Sequence, residues 1–285
     1  MLYHDRVGII CLAIPKSGCT AAKRWYAVAA KPNIDVQLLS IHKYAIDQLS
    51  LCVKPTEVTK TLFEQAPMLA FVRDPLERLR SAFVDKLVRP RHAEMFGPTR
   101  EILEQWATSR GQTVRFDTTH SARIGGEDHH FIASSTVDYD RGLTFREFVE
   151  FVTSVPEHVL DPHWRPQAAF MRLRNADIVL PMSAIGSALD ALGSRLGITF
   201  SASERTNVTR KESVGRGSLA DVPSGELNRN DFRPPTAELA DDSIRHLVAS
   251  RLAEDEALLL RAAQTDVDAA VERLWARRIH GPNRL

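Results

Sequence analysis

A lysine, two hydroxyl-bearing residues and a glycine stand together in the loop from Ile14 to Thr20, and these residue types favour the binding of an anion. The apolar run before it, Val7 to Ile14, predicts a strand that is buried on both faces of a parallel sheet. The run after it, Ala21 to Ala30, predicts a helix. A strand, a loop and a helix in this order aim backbone N–H groups and the positive end of a helix at an anion. Lys16 would add a mobile positive charge to this cradle.

The loop departs from the phosphate loop of nucleoside triphosphate hydrolases, in which a glycine and four residues precede Gly-Lys-Ser or Gly-Lys-Thr. Here Lys16 precedes Gly18, the only glycine of the loop. This order argues against a nucleoside triphosphate as the ligand. An ordinary strand-to-helix turn without a ligand is the alternative that the loop alone leaves open.

A second strand-to-helix junction follows at Met68 to Lys86. Met68 to Val72 predicts a strand, and Asp74, Pro75 and Glu77 supply a cap, a first-turn proline and a capping-box partner for the next helix. We therefore predict that the helix begins at Pro75.

Arg73 stands between this strand and this helix, and Ser81 lies about two helical turns after Asp74, on the side of the helix start. Ligands of open α/β sheets bind beyond the carboxyl ends of the strands, so Lys16 and Arg73 would face one crevice. Arg73 and Ser81 together would then grip one anion, and the ligand would carry two separated anionic groups. A structural ion pair of Arg73 with Asp74 or Glu77 is the alternative.

Histidines occur in two further segments. His163, in the stretch from Asp161 to Gln167, is a candidate general base because the unperturbed pKa of histidine lies near neutrality; a hydrogen-bonded structural histidine is the alternative. His129 and His130 fall in a polar stretch that we predict to be a solvated loop. Neighbouring residues rarely point at one ion, so we predict no metal site there.

The composition is that of an ordinary globular α/β protein: 285 residues, 44% of them hydrophobic, with 37 Lys and Arg against 36 Asp and Glu. This balance gives no field of one sign that would attract nucleic acid. Three cysteines without a regular spacing argue against a disulfide framework, and no apolar run is long enough to span a bilayer. Two further strands are predicted, at Val36 to Ile41 and at Asn175 to Pro181. Further helices are predicted from Thr56, over Thr99 to Ser109, after Thr144 with Glu147 as its capping-box partner, over Ser183 to Leu196, and over Glu238 to Ile279.

The order of three motifs resembles the carbohydrate sulfotransferases of the sulfotransferase-2 group, the chondroitin and HNK-1 type enzymes. The motifs are Pro-Lys-Ser-Gly-Cys-Thr at 15–20, Phe-Val-Arg-Asp-Pro-Leu-Glu-Arg-Leu with Ser-Ala-Phe at 71–83, and Asp161 with His-Trp and Pro-Gln at 163–167. The similarity extends from Ile9 to Ala262. It implies a P-loop-like three-layer α/β fold, with a central, mainly parallel sheet flanked by helices, that binds 3′-phosphoadenosine 5′-phosphosulfate without a metal.

The resemblance also implies the roles of individual residues. Lys16 would act on the leaving phosphate, Arg73 and Ser81 would hold the 3′-phosphate, and Asn207 is a candidate for a further contact to the nucleotide. The loop that would hold the 5′-phosphosulfate consists of Pro15, Lys16, Ser17, Gly18, Cys19 and Thr20. The sulfuryl group would move by in-line displacement to a hydroxyl of a carbohydrate or glycan-like acceptor. His163 is the first candidate for the base, with Asp161 orienting it, and His42 and Glu127 are the alternatives.

The resemblance further implies one sulfotransferase domain over residues 1–285. Within it, residues 89–142 would form an insertion on the acceptor side, 201–235 a flexible loop or lid, and 236–285 a set of C-terminal helices. Animal members carry an N-terminal membrane anchor, whereas this chain begins almost at its first predicted strand, so we expect a cytoplasmic, bacterial-type relative. A nucleotide kinase of related fold and a non-catalytic nucleotide-binding protein are the competing functions.

Overall fold

The computed structural model describes residues 1–32, 34, 60–88, 97–124, 127–198, 218–229 and 234–280. These residues divide into two compact units. Unit 1 comprises the described residues of Met1–Pro75, Pro166–Val208 and Ala253–Leu285, and unit 2 comprises those of Leu76–Arg165 and Thr209–Leu252. The predicted strand at Val36 to Ile41, the start of the helix at Thr56, His42 and Asn207 lie outside the described residues.

Unit 1 is built on a parallel sheet of three strands among the described residues, β1 (Ile10–Leu12), β2 (Met68–Val72) and β5 (Ile178–Pro181), in the order β1-β2-β5. Both pairings are parallel, with Leu12 opposite Ala70 and Val72 opposite Pro181. The parallel sheet and the strand at 68–72 confirm the sequence predictions. The first strand is shorter than predicted because Val7 closes a turn, its N–H donating to the carbonyl of His4.

Helices flank this sheet, and its strands β1 and β2 are buried on both faces. Alternate residues of β1 belong to two apolar clusters, Cys11 to one and Ile10 to the other. A strand that is covered on both sides is nearly continuous in hydrophobicity, which is the pattern found in the sequence. The helices of this unit are α1 (Cys19–Ala30), α2 (Lys60–Gln65), α6 (Ile185–Leu196), α10 (Ala253–Ala263) and α11 (Val267–His280).

The ends of these helices follow local rules. Helix α6 ends at a C-cap glycine, Gly197, whose φ of 63° is the left-handed conformation that glycine adopts without a steric cost. Its end is therefore confirmed where the sequence placed it. Helix α1 begins two residues before the predicted start, at Cys19.

Unit 2 is mainly helical. Helix α3 (Pro75–Phe83) begins where predicted and continues into a π-helical turn, Val84–Val88. The capping box of α5 (Phe145–Ser154) is present as predicted: Thr144 accepts a hydrogen bond from the N–H of Glu147, whose side chain accepts one from the N–H of Thr144. The remaining helices are α4 (Gly97–Ser109), α7 (Ser224–Arg229), α8 (Thr236–Leu239) and α9 (Asp242–Arg251).

One prediction for this unit was wrong. The stretch with His129 and His130 is not a solvated loop but part of β4 (Glu127–Ser134), which pairs antiparallel with β3 (Phe116–Ile124). The sequence carries a hairpin signal at this place, a Gly-Gly pair between two runs that contain Ile and Phe. The described part of 201–235 contains a helix, α7, and the flexible loop or lid over this range stays a prediction.

Aromatic side chains form much of the core of unit 2. Phe83 of α3 meets Phe145 of α5 edge to face, with ring centroids 5.3 Å apart, and Phe148 meets Trp164 at 5.9 Å. Such pairs contribute about 0.5–1.5 kcal/mol each beyond the area that they bury. Trp164, which follows the candidate base His163 in the chain, is thus fixed in the core.

Candidate functional site

The loop between β1 and α1 holds Lys16 in an unusual backbone conformation. Its φ is 67°, and it is the only non-glycine residue with a positive φ in the part of the chain that the structure describes. A left-handed conformation costs an ordinary L-residue roughly 1–2 kcal/mol. Such strain persists where the surrounding structure imposes it, and it concentrates at functional sites.

Gly18 fixes the other end of this loop. It is the N-cap residue of α1, with a φ of 85°, and a Cβ at this position would lie 2.6 Å from Cδ1 of Ile185 at the start of α6. A side chain would therefore be strained by the backbone and would also collide with α6. Glycine lets the loop approach that helix closely.

The amino end of α1 presents backbone donors. The first N–H groups of any α-helix have no backbone partner within that helix, and α1 begins at Cys19. Gly18, the N-cap residue, has no side chain that could accept a hydrogen bond from these groups. The N–H of Ser17 instead donates to the carbonyl of Ile14 at 3.2 Å, so it closes the turn. The N–H of Ser17 is therefore used in the turn, and the positive end of the α1 dipole lies after it in the chain.

Arg73 leaves the end of β2 beside this loop. Its Nη1 lies 3.4 Å from the carbonyl oxygen of Lys16, to which it donates. The residues that carry the two predicted cations therefore lie together beyond the ends of the adjacent strands β1 and β2. The conformation of Lys16 and the contact from Arg73 make this the strongest candidate anion site of unit 1.

A glutamine connects the two junctions of unit 1. Oε1 of Gln167 accepts hydrogen bonds from Oγ of Ser17 and from the N–H of Arg73, both at 2.9 Å, while its Nε2 donates to the carbonyl of Arg73 at 2.7 Å. The carboxylate of Asp255 in α10 accepts from the N–H of Gln167 at 2.8 Å. We call Ser17, Arg73, Gln167 and Asp255 the Gln167 cluster.

His163 and Asp161 form a dyad in unit 2. Oδ1 of Asp161 lies 2.6 Å from Nδ1 of His163 and also accepts the N–H of His163 at 2.8 Å. Burial alone would raise the pKa of Asp161, but hydrogen bonds from the side chain and backbone of His163 and the charge of Lys86 hold this pKa below its usual value. The carboxyl group is then ionised and only accepts hydrogen bonds, so the proton of a neutral imidazole resides on Nδ1. Nε2 carries the lone pair that a base needs.

A buried arginine holds the turn that carries His163. Arg78 of α3 is 1% exposed, and its guanidinium donates to the carbonyls of Arg165 at 2.8 Å and Pro162 at 3.1 Å. Arg165 in turn donates to the carbonyl of Leu160. The backbone on both sides of His163 is therefore fixed by charged donors.

Several of the predicted groupings stay predictions. Ser81 lies in α3 of unit 2 and is 8% exposed, whereas Arg73 belongs to unit 1, so their shared grip on one anion stays a prediction. Glu127 begins β4. Among the described residues, no three His, Cys, Asp or Glu side chains are placed to hold a metal ion. No helix in the described ranges combines the length and the apolar character needed to cross a bilayer.

The sequence interpretation missed three residues of this arrangement. Gln167 was noted only as part of a motif, Arg78 only as part of another, and Asp255 not at all. Asp255 stands between two glutamates in the sequence, and no local pattern distinguishes it from them. Its carboxylate is nevertheless buried, with 1% of the residue exposed. For Arg78, the sequence has no comparable signal, because adjacent positions of a helix do not share a face.

Comparison with known proteins identifies the class: a family model described as the sulfotransferase family matches residues 1–250, and the chain belongs to this family. Among curated proteins, carbohydrate sulfotransferase 14 of Mus musculus is 30% identical over 169 residues, which are 58% of this chain and 38% of that protein. Carbohydrate sulfotransferase 14 of Homo sapiens is 27% identical over 168 residues, with the same coverage. The alignment thus spans well under half the length of either relative. No solved structure matches the chain.

Proposed function

We propose that this chain is an enzyme that transfers the sulfuryl group of 3′-phosphoadenosine 5′-phosphosulfate to a hydroxyl group of a carbohydrate or glycan-like acceptor. The observation that carries the proposal is the strained, left-handed Lys16 beside Arg73 at the amino end of α1. Membership of the sulfotransferase family and the similarity to two carbohydrate sulfotransferases support the donor and the acceptor class.

The residues at the loop fit a donor with a charged phosphosulfate group. The start of α1 offers N–H groups and the positive end of a helix dipole, and Lys16 adds a full charge. The donor would supply the sulfuryl group and a phosphate as its leaving group. Lys16 would neutralise the charge that develops on that phosphate, while Arg73 would bind the 3′-phosphate, with Ser81 and Asn207 as further contacts. The parallel sheet, with a helix following the end of β1, supports a P-loop-like fold in three layers.

His163 is the proposed general base. An acceptor hydroxyl loses its proton as its oxygen bonds to sulfur, and Nε2 would take that proton. Asp161 would hold the tautomer, as its contact with Nδ1 at 2.6 Å supports. His42 and Glu127 are the alternatives. This chemistry requires mainly positioning and charge stabilisation, by analogy with phosphoryl transfer, and it assigns no role to a metal ion.

The domain assignment and the location stay proposals. We propose one sulfotransferase domain over 1–285, in which 89–142 contacts the acceptor, 201–235 includes a lid and 236–285 forms the C-terminal helices. A cytoplasmic location of a bacterial-type enzyme is the corresponding expectation.

The test is a transfer assay with donor labelled in its sulfuryl group and a panel of unsulfated oligosaccharides. The proposal predicts labelled sugar product with the wild-type chain and a loss of about 10²–10³-fold in turnover for Lys16→Ala, which removes one positioned donor. Lys60→Ala is the matched control, since the Lys60 side chain is 87% exposed. Binding of the donor without transfer to any acceptor would favour a non-catalytic binding protein. Transfer of phosphate from ATP in the presence of magnesium would favour a kinase.

A further inference from the structure

Gln167 is the most deeply buried polar side chain at the candidate anion site. Its exposure is 0%, and its side-chain amide pairs with the main chain of Arg73 through two hydrogen bonds, as a neighbouring strand would. Opposite Val72, the last residue of β2, stands Pro181, which has no N–H to donate. The Gln167 amide therefore satisfies the main chain of Arg73 just past the end of the β2–β5 ladder.

The same amide oxygen also reaches the loop after β1. Oε1 of Gln167 accepts the hydroxyl of Ser17, the residue after Lys16, at 2.9 Å. This one oxygen atom therefore accepts hydrogen bonds from Arg73 itself and from Ser17, the residue next to Lys16. This oxygen therefore couples the two loops, in addition to the direct hydrogen bond from Arg73 to the carbonyl of Lys16.

Asp255 fixes Gln167 in turn. The carboxylate, 1% exposed, accepts the N–H of Gln167 with Oδ2 and the N–H of Ala168 with Oδ1, each at 2.8 Å. It also faces Nε2 of Gln167 at 3.5 Å. The amide thus has two donors at its oxygen and two acceptors at its nitrogen, which determines its orientation. Buried networks of this kind hold their members rigidly when every group is satisfied.

We propose that Gln167, oriented by Asp255, is a positioning residue that sets the distance between Lys16 and Arg73 to match the two anionic ends of the donor. The proposal rests on the proposed function. Neither Gln167 nor Asp255 touches the donor in this role; they act through Ser17 and the main chain of Arg73. A displacement of about 1 Å of a positioned group can cost 10²-fold in rate, so a neutral amide that fixes two cations has a large effect on transfer.

The first test replaces Gln167 by Met, which keeps an unbranched chain of similar length but removes the amide. We expect a loss of about 10–100-fold in kcat/KM for the donor, with the KM for the acceptor unchanged. Affinity for 3′-phosphoadenosine 5′-phosphate should fall more than affinity for 5′-AMP, because only the former has both anionic ends. Gln264→Met, at an exposed position of unit 1, is the matched control.

A second variant separates positioning from simple folding. Gln167→Glu retains the shape, and its protonated carboxyl group can accept from Arg73 and Ser17 and donate to the carbonyl of Arg73. The ionised form of this Glu side chain can only accept hydrogen bonds, so it would be opposed by the carbonyl of Arg73 and by the carboxylate of Asp255. The positive charges of Arg73 and Lys16 lie at the adjoining strand ends. The activity of this variant relative to wild type should therefore rise by about tenfold or more between pH 8 and pH 6, whereas a merely structural role would leave this ratio constant.

The outcomes distinguish this proposal from the proposed function. If the wild type binds 3′-phosphoadenosine 5′-phosphate and Gln167→Met binds and turns over within twofold of it, the role of Gln167 is wrong and the function stands. If Gln167→Met does not fold, a constant activity ratio for Gln167→Glu across pH overturns the role. If the wild type itself shows no preference for the compound with two anionic ends, the function fails, and the role of Gln167 fails with it.

Discussion

Oδ1 of Asp161 accepts two hydrogen bonds from His163, one from the ring nitrogen Nδ1 and one from the backbone N–H. A single carboxylate oxygen therefore fixes both the position and the tautomer of the imidazole. The sequence separates the two residues by only one proline, so the dyad is a local structure that the chain can form without distant contacts.

Removal of the imidazole tests the assignment of the base. We expect His163→Ala and His163→Gln each to lower kcat at saturating donor by about 10²–10⁴-fold, the usual contribution of a general base. The KM for the donor should change little, because the donor is bound by other residues. His158→Ala, in the preceding short 3₁₀ turn, is the control. Full kcat in both His163 variants would move the role to His42 or Glu127.

Asp161→Asn should lower kcat as well, since an amide can donate to Nδ1 and shift the proton of the ring to Nε2.

The same substitution should also change how the free energy of unfolding depends on pH. The lowered pKa of Asp161 means that its ionised form stabilises the fold above the pKa of an unfolded aspartate, about 3.9, and that this contribution is lost as the pH falls through the lower folded value.

Urea unfolding of the wild type and of Asp161→Asn measures this effect. The difference in the free energy of unfolding should be about 1.5–3 kcal/mol at pH 7, the contribution of hydrogen bonds to a charged group, and should shrink towards pH 3. Asp242→Asn, an exposed site in the same unit, serves as the control. A difference that grows on acidification would contradict the ionised dyad.

The interaction of Arg78 with two carbonyls predicts that lysine cannot replace it. The two carbonyls are bonded by two different nitrogens of the guanidinium, and the single nitrogen of a lysine cannot occupy both positions, so Arg78→Lys should weaken or lose one of these hydrogen bonds. We expect a loss of about 1–3 kcal/mol in the free energy of unfolding, together with a lower kcat. Arg251→Lys, at an exposed position, should change neither quantity. Equal stability of Arg78→Lys and wild type would show that the two carbonyls do not depend on the guanidinium.

Lys16 offers a way to separate backbone strain from charge. Lys16→Ala and Lys16→Gly both remove the charge, but only glycine also removes the left-handed strain. The glycine variant should be more stable than the alanine variant by about 0.5–1 kcal/mol, because the strain of roughly 1–2 kcal/mol outweighs the extra chain entropy of glycine. Thermal unfolding measures this difference. Turnover should be equally low in both, and a recovery of turnover in Lys16→Gly would refute the role of the charge.

The parts of the fold that the sequence predicts well have local causes. Met68 to Val72 is apolar and ends at a charged residue, and Thr144 with Glu147 forms a capping box, so both boundaries follow from neighbouring residues. The Gly-Gly pair in the sequence between β3 and β4 is also a local signal, and it stands among polar residues. Local patterns therefore account for most of the described helices and strands.

The missed part of the candidate site depends on contacts between residues far apart in the chain. Ser17 and Gln167 are separated by 150 positions, and Gln167 and Asp255 by 88. A glutamine after a proline, or an aspartate among glutamates, has no pattern that would reveal a buried partner. Only the packing of α10 and the loop against β2 brings these groups together.

The central claim, that the site binds a ligand with two anionic ends, is tested most directly by calorimetric titration of the wild-type chain with 3′-phosphoadenosine 5′-phosphate, ATP and 5′-AMP. The account predicts the tightest binding for 3′-phosphoadenosine 5′-phosphate, weakened by Arg73→Ala down to the level of 5′-AMP. Arg172→Ala, at an exposed arginine of the same unit, should leave this preference intact. Binding of ATP that is tighter than that of 3′-phosphoadenosine 5′-phosphate, or equal affinity for 5′-AMP, would contradict it.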